Sequence, residues 1–241
     1  MIFSQSKLLN KFTNLTHCFT TRKSGNLAFH VNDNPIHVER NHEALAKELN
    51  YKKKSLIHMK QIHSNSLHVV SEDDNFYNPK TCDALITNKV NTPLMVMVAD
   101  CSPILFYDDE QKVIAVAHAG RAGTFKNINK VVVESFINDY NTQISSLHVV
   151  IGASIGVCCY EVGLEIYEEC KELNMKYAIE SRDNKYYLDI RKILKKQLLE
   201  LGINEEDIDI SKECNCCKND EYFSYRANNK TGRFAGIIQL K

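Results

Sequence analysis

The sequence predicts a mixed α/β protein, a single domain over residues 1–241 in which helices cover a central mixed sheet. Three observations lead there. Five short runs are rich in β-branched or aromatic residues, four longer stretches space their apolar residues as helices do, and no repeat or proline-, glycine- or serine-rich linker divides the chain. The order of these elements is too mixed to derive a strand topology.

"THCFTTRKSGNLAFHV" opens with β-favouring residues and reaches Lys23, Ser24 and Gly25, which predicts a short strand and a turn with Arg22 at the strand's end. "NPIHVERNHEALAKELN" sets Ile36, Ala44, Leu45 and Leu49 among helix-favouring residues and reads as a helix ending near Asn50. "SLHVV", "LMVMVA", "PILFYD", "VIAVAH" and "SLHVVIG" read as buried strands. "TFKNINKVVVESFINDY", "GLEIYEECKELNMKYAIE" and "DIRKILKKQLLELG" read as helices; the last aligns Ile190, Ile193, Leu194, Leu198 and Leu201 on one face and stops at Gly202.

Composition narrows the function. The chain is 44% hydrophobic and 25% charged, as an ordinary globular protein is, and 30 basic against 30 acidic side chains leave no net field to hold a nucleic-acid backbone. The start "MIFSQSKLLNKFTNLTH" lacks the apolar core of a signal peptide, and no run is long enough to span a bilayer. A cytosolic protein without nucleic-acid or membrane partners is expected. Nine cysteines in such a compartment read as thiols or metal ligands rather than a disulfide framework.

"VADCSPILFYDDEQKVIAVAHAG" reads as an antiparallel hairpin with a loop of about four residues. If it closes between Asp109 and Glu110, Cys101 stands opposite His118 on the same face, within reach of a shared metal or of each other. A one-residue error in the turn would separate them. By itself the pair reads first as buried filler, since buried cysteines commonly behave as small hydrophobes. Beyond it, "HAGRAGT" sets Gly120 and Gly123 about Arg121 ahead of a helix, which suits either close backbone approach to an anionic ligand or a plain strand-to-helix turn. A catalytic zinc site needs a third protein ligand. His63 and His68 in "KQIHSNSLHVV" lie on opposite faces of a regular strand, and periodicity does not choose between them.

"KQIHSN", "VADCSPILFYD", "VAHAGRAGT", "IGASIGVCCYEVG" and "YFSYRANNKTGRFAGII" together resemble the YfiH, or laccase-domain, family, once called multicopper polyphenol oxidases and now regarded as purine nucleoside phosphorylases. The resemblance runs from "FTTRKSG" to the C-terminus. It implies a single domain distantly similar to the catalytic domain of cytotoxic necrotizing factor toxins, and a metal trio of His63, Cys101 and His118. It also implies phosphorolysis of adenosine, inosine and methylthioadenosine, with adenosine deamination as a second reaction. Zinc accepts two imidazoles and one thiolate, with copper as the alternative metal.

Phosphorolysis also needs donors for phosphate. Arg22, Arg226 and Arg233 each lie in a family-like stretch beside a turn, with Arg22 the first choice. Gln61 and Asp100, neighbours of the trio, are candidates for substrate or supporting contacts, though alternation turns Asp100 away from Cys101. The family pattern "HAGWRG" is replaced by "HAGRAG", so Arg121 stands where an aromatic residue is usual and Ala122 where the arginine is. Cys158, Cys159, Cys214, Cys216 and Cys217 offer a second, thiolate-rich metal site, but without a C-x-x-C pair on both sides. Two competing classes remain: a copper-dependent phenol oxidase, which would need more histidine-rich sites than one trio, and a thiol hydrolase with Cys101 as nucleophile and His118 as base. Monomer and homodimer are both open.

Overall fold

The computed structural model describes residues 3–241. The chain enters through β1 (Leu15–Phe19), and the predicted turn follows as a short 3-10 helix at Arg22–Ser24, closed by Gly25 at φ +73°. Helix α1 (Pro35–Glu48) begins on Asn34, whose side chain accepts from the Ile36 amide at 3.0 Å, with Pro35 in the first turn where its missing N–H costs nothing. Strands β2 (Met59–Lys60), β3 (Leu67–Val69), β4 (Lys80–Thr81), β5 (Ala84–Thr87) and β6 (Leu94–Val98) follow. The hairpin is β7 (Ser102–Asp108) and β8 (Val113–Ala119).

One predicted helix is two. α2 (Arg121–Phe125) and α3 (Ile128–Tyr140) are separated at Asn127, which adopts a left-handed φ of +55° and caps α3 through its side chain. After β9 (Leu147–Ile151) come β10 (Glu161–Val162), α4 (Leu164–Glu172), β11 (Ile179–Arg182), β12 (Lys185–Leu188), α5 (Ile190–Glu200), β13 (Ile208–Ile210) and β14 (Phe234–Leu240).

Six strands form the main sheet in the order β13-β9-β7-β8-β5-β3, parallel at its two edges and antiparallel between, so it is the mixed sheet expected. Strand alternation divides its faces. Ile104, Phe106, Ala115 and Ala117 face Val132, Val133, Phe136, Ile193 and Leu194 of α3 and α5. Leu105, Tyr107, Ile114 and Val116 instead pack on Leu94, Val96, Phe234 and Ile238. Those residues belong to a second, antiparallel sheet of order β1-β14-β6, which turns Met95, Met97, Ala235 and Ile237 toward Leu45 of α1. The layers therefore run helix, sheet, sheet, helix. Helices cover the mixed sheet on one face as expected; on its other face lies the second sheet, whose β6 and β14 are buried on both sides and fill the middle of a sandwich.

The hairpin turn differs from expectation. Asp109–Lys112 form the loop, with Asp108 Oδ1 accepting from the amides of Glu110 and Gln111 at 2.9 and 3.1 Å. Pro103, not Cys101, stands opposite His118. The slip is two residues, and an even slip in an alternating strand keeps Cys101 and His118 on one face.

Candidate metal centre

Three segments meet at the open end of the β7–β8 hairpin. His118 lies near the end of β8 and is buried, Cys101 immediately precedes β7, and His63 sits in the loop after β2 with a left-handed φ of +58°. Their ligand atoms all fall within 4.8 Å of one another, and Cys101 Sγ is 3.8 Å from His63 Nε2. The two imidazoles meet edge to face with centroids 4.7 Å apart.

Asp83, fully buried just ahead of β5, organises this meeting. Its Oδ1 accepts from His118 Nδ1 at 2.8 Å and from the His63 amide at 3.0 Å; its Oδ2 accepts from the Ser64 amide and hydroxyl, each at 2.7 Å. One carboxylate thus shapes the loop that carries His63 and turns the His118 ring, leaving Nε2 of His118 to the centre. Burial would raise this carboxyl, but the His118 and Ser64 hydrogen bonds hold it well below the usual range. Asp83 was not singled out from the sequence. Its only signal there is a carboxylate entering an apolar strand in "TCDALIT".

Glycine is required beside the ligands. A Cβ on Gly120 would lie 2.9 Å from both Cys101 Sγ and His63 Cδ2, and one on Gly123 would lie 2.8 Å from the Ser64 carbonyl. The sequence offered an anionic ligand or a plain turn at these glycines; what crowds them in the structure is the trio and its loop.

Burial by itself would raise the Cys101 thiol, yet the charge of His118 and hydrogen bonds from His118 and His63 bring it down to about 6. Burial would lower His118; the Cys101 charge and the Asp83 hydrogen bond carry it up to about 9. Each member of the pair thus favours the charged form of the other. One thiolate and two imidazoles, one of them with its second ring nitrogen locked by a carboxylate, make a three-donor set that suits zinc with a position left over.

The trio opens on a cleft of about 420 Å³, lined also by His30, Tyr160, Tyr225, Arg226 and Arg233. Arg226 and Arg233 are thus brought to the site. The Arg226 guanidinium also reaches the Glu161 carbonyl at 3.0 Å, and Arg233 donates to the carbonyls of Thr231 and Gly232, both at 3.0 Å. Arg22, the first choice from sequence, does not line this cleft. Its Nε donates to the Tyr222 carbonyl at 2.8 Å and its guanidinium lies over Phe223, so it serves the packing of the C-terminal loop.

Gln61 lines the cleft, but its amide donates to the Met97 carbonyl at 2.8 Å and accepts from the Met97 amide at 2.9 Å. It pairs with β6 as a strand would, and so anchors the His63 segment. Asp100, at φ +94°, accepts from Asn215 Nδ2, Ser224 Oγ and the Arg226 amide at 3.0, 2.7 and 2.7 Å. It ties the C-terminal loops to the trio. Arg121 faces the cleft while pairing with Glu169 of α4 at 2.6 Å.

A family model described as multi-copper polyphenol oxidoreductase laccase matches residues 16–241. The purine nucleoside phosphorylase YfiH of Escherichia coli is 31% identical, covering 92% of this chain and 93% of its own length. A purine nucleoside phosphorylase of Campylobacter jejuni is 34% identical, covering 89% and 90%. Among solved structures, the hypothetical protein YfiH of Bacillus licheniformis superposes with a TM-score of 0.90 at 28% identity, covering 97% of this chain and 94% of that one.

Proposed function

Because the chain belongs to the multi-copper polyphenol oxidoreductase laccase family, whose relatives above are named purine nucleoside phosphorylases, we propose that it cleaves purine nucleosides with phosphate. Adenosine, inosine and methylthioadenosine are the substrates, and adenosine deamination is a second reaction in the same cleft. The observation that carries the reading is the convergence of His63, Cys101 and His118 on a cleft that also presents Arg226 and Arg233. Its volume of about 420 Å³ lies within the range of small-molecule sites.

In phosphorolysis a phosphate oxygen forms a bond to ribose C1′ as the C1′–N9 bond breaks and its electron pair leaves with the purine. Arg226 and Arg233 supply fixed positive charge for the phosphate, and Tyr160 and Tyr225 offer aromatic surface to the purine. His63, Cys101 and His118 would hold zinc, which supplies Lewis acidity when bound. Asp83 fixes the ring and tautomer of His118. Deamination consumes one water and releases ammonia, leaving inosine.

Copper oxidation of phenols is the weaker reading, since among the described residues one cluster alone contains histidine. A thiol hydrolase is favoured by one specific observation, the Cys101, His118, Asp83 series with its lowered thiol. Incubating metal-defined protein with adenosine, with and without phosphate, and separating the products decides among them. Adenine and ribose 1-phosphate formed only with phosphate support the proposal, and inosine identifies the deaminase. Absence of nucleoside turnover, with Cys101 trapped by an alkylating ester and indifferent to chelation, would replace it with the hydrolase.

A further inference from the structure

The cysteines outside the trio are not scattered. Cys158 and Cys159, from the turn before β10, meet Cys214 and Cys217, from the loop after β13, and all four Sγ atoms lie within 4.8 Å of one another. Cys217 Sγ is 3.4 Å from Cys158 Sγ and 3.3 Å from Cys159 Sγ. Four sulfurs at the corners of a tetrahedron about one zinc stand about 3.8 Å apart, given a Zn–S bond of about 2.3 Å. We propose that Cys158, Cys159, Cys214 and Cys217 form a tetrathiolate zinc site distinct from the His63, Cys101, His118 trio.

The local backbone is built for thiolates. Cys214 and Cys217 have C-x-x-C spacing, and the Gly156 amide donates to Cys214 Sγ at 3.2 Å, joined by the amides of Cys216 and Cys217. Such N–H···S bonds orient and stabilise a sulfur that carries charge. The turn at 156–160, held by the Cys159 and Tyr160 amides donating to the Gly156 carbonyl, lets two adjacent cysteines converge where a regular strand would send them apart. Gly156 leaves room: a Cβ there would stand 3.1 Å from Cys158 Sγ and 3.2 Å from Cys214 Cβ. A single disulfide would satisfy two of these sulfurs; one metal engages all four.

The position assigns the site a purpose. One partner loop carries Ile155 and Tyr160 to the cleft, and the other carries Asn215, which holds Asp100 beside Cys101. The loops already touch through Ser154 and Cys214, and through the Asn215 amide donating to the Ser154 carbonyl at 3.2 Å. Zinc would staple them into one wall of the cleft. The site is independent of the reaction proposed above, so either can fail without the other.

The test uses the full chain, reduced, loaded with zinc or cobalt(II) and desalted. With the trio disabled by Cys101→Ala and His118→Ala, about one zinc per chain is retained, and the cobalt form shows the intense charge-transfer absorption of four thiolates. Adding Cys217→Ser, at an exposed position, reduces zinc to near zero; Cys158→Ser does the same. In the otherwise native chain, Cys217→Ser lowers the melting temperature by about 5–10 °C and speeds proteolysis within 154–160. A folded, reduced trio-disabled chain that binds no zinc would overturn the proposal. Zinc surviving both serine substitutions, a cobalt spectrum with fewer than three thiolates, or iron in place of zinc in the isolated protein would do so as well.

Discussion

Asp83→Asn should weaken metal binding without unfolding the protein. The carboxylate accepts from the amides of His63 and Ser64, the Ser64 hydroxyl and His118 Nδ1, at 2.7–3.0 Å. Asparagine has nearly the same shape but turns one acceptor into a donor. Turned toward Ser64, its NH₂ faces an N–H at the position of the shortest bond. Turned toward His118, it forces Nδ1 to accept, so the ring proton moves to Nε2, the atom that faces the centre.

Either orientation loses a charge-assisted contact of about 1.5–3 kcal/mol. Part of that loss falls on stability, because the site is buried, and part on ligation. The expected fall in zinc affinity is about 10–100-fold, or about 1.4–2.8 kcal/mol, measured by competition with a chromogenic chelator beside a thermal melt. Asp83→Ala is less informative, since it strands a buried imidazole and loop amides at about 3–5 kcal/mol. Zinc affinity within twofold of wild type in a folded Asp83→Asn protein would refute the role assigned to this carboxylate.

Three further outcomes are expected. Gly120→Ala, which drives a methyl to 2.9 Å from Cys101 Sγ and His63 Cδ2, should cut metal content and turnover together while the far-ultraviolet spectrum stays native; unchanged zinc stoichiometry and affinity would count against the packing account. Arg233→Ala should raise KM for phosphate about 10–100-fold, with partial recovery in Arg233→Lys, and a variant that changes the nucleoside KM instead would move phosphate elsewhere. Acid should destabilise the fold through buried neutral histidines. Burial lowers His17 and His42 from 6.5 to about 4, so between those values the unfolded chain binds more protons and stability is lost as pH falls. At pH 5 each contributes a loss of up to about 2 kcal/mol; a denaturant midpoint flat from pH 7 to pH 5 would contradict this.

Local pattern was enough to find the strands of the hairpin, α1 and α5, because apolar periodicity is a property of neighbours in the chain. It also placed Cys101 and His118 on one face. That conclusion survived a wrong turn position, since the slip from Asp109–Glu110 to Glu110–Gln111 moved the pairing by two and preserved the alternation. The break at Asn127 was missed because asparagine tolerates both helix and left-handed backbone, and only the packing of α2 and α3 selects between them.

What the sequence by itself determined is five of the sheet strands, most of the helices, and a motif series that points to the family; the buried strands β5 and β14 were not read from it. Tertiary structure decided which distant side chains meet. Asp83 became the hub of the trio because β5 lies beside β8 and brings a buried carboxylate under two loops. Arg22 was turned to Phe223 while Arg226 and Arg233 entered the cleft, although all three look alike as turn arginines in the chain. Two cysteine pairs more than fifty residues apart converged because β9 and β13 run side by side. Periodicity reports which way a side chain faces; only the long-range pairing of strands sets what it faces.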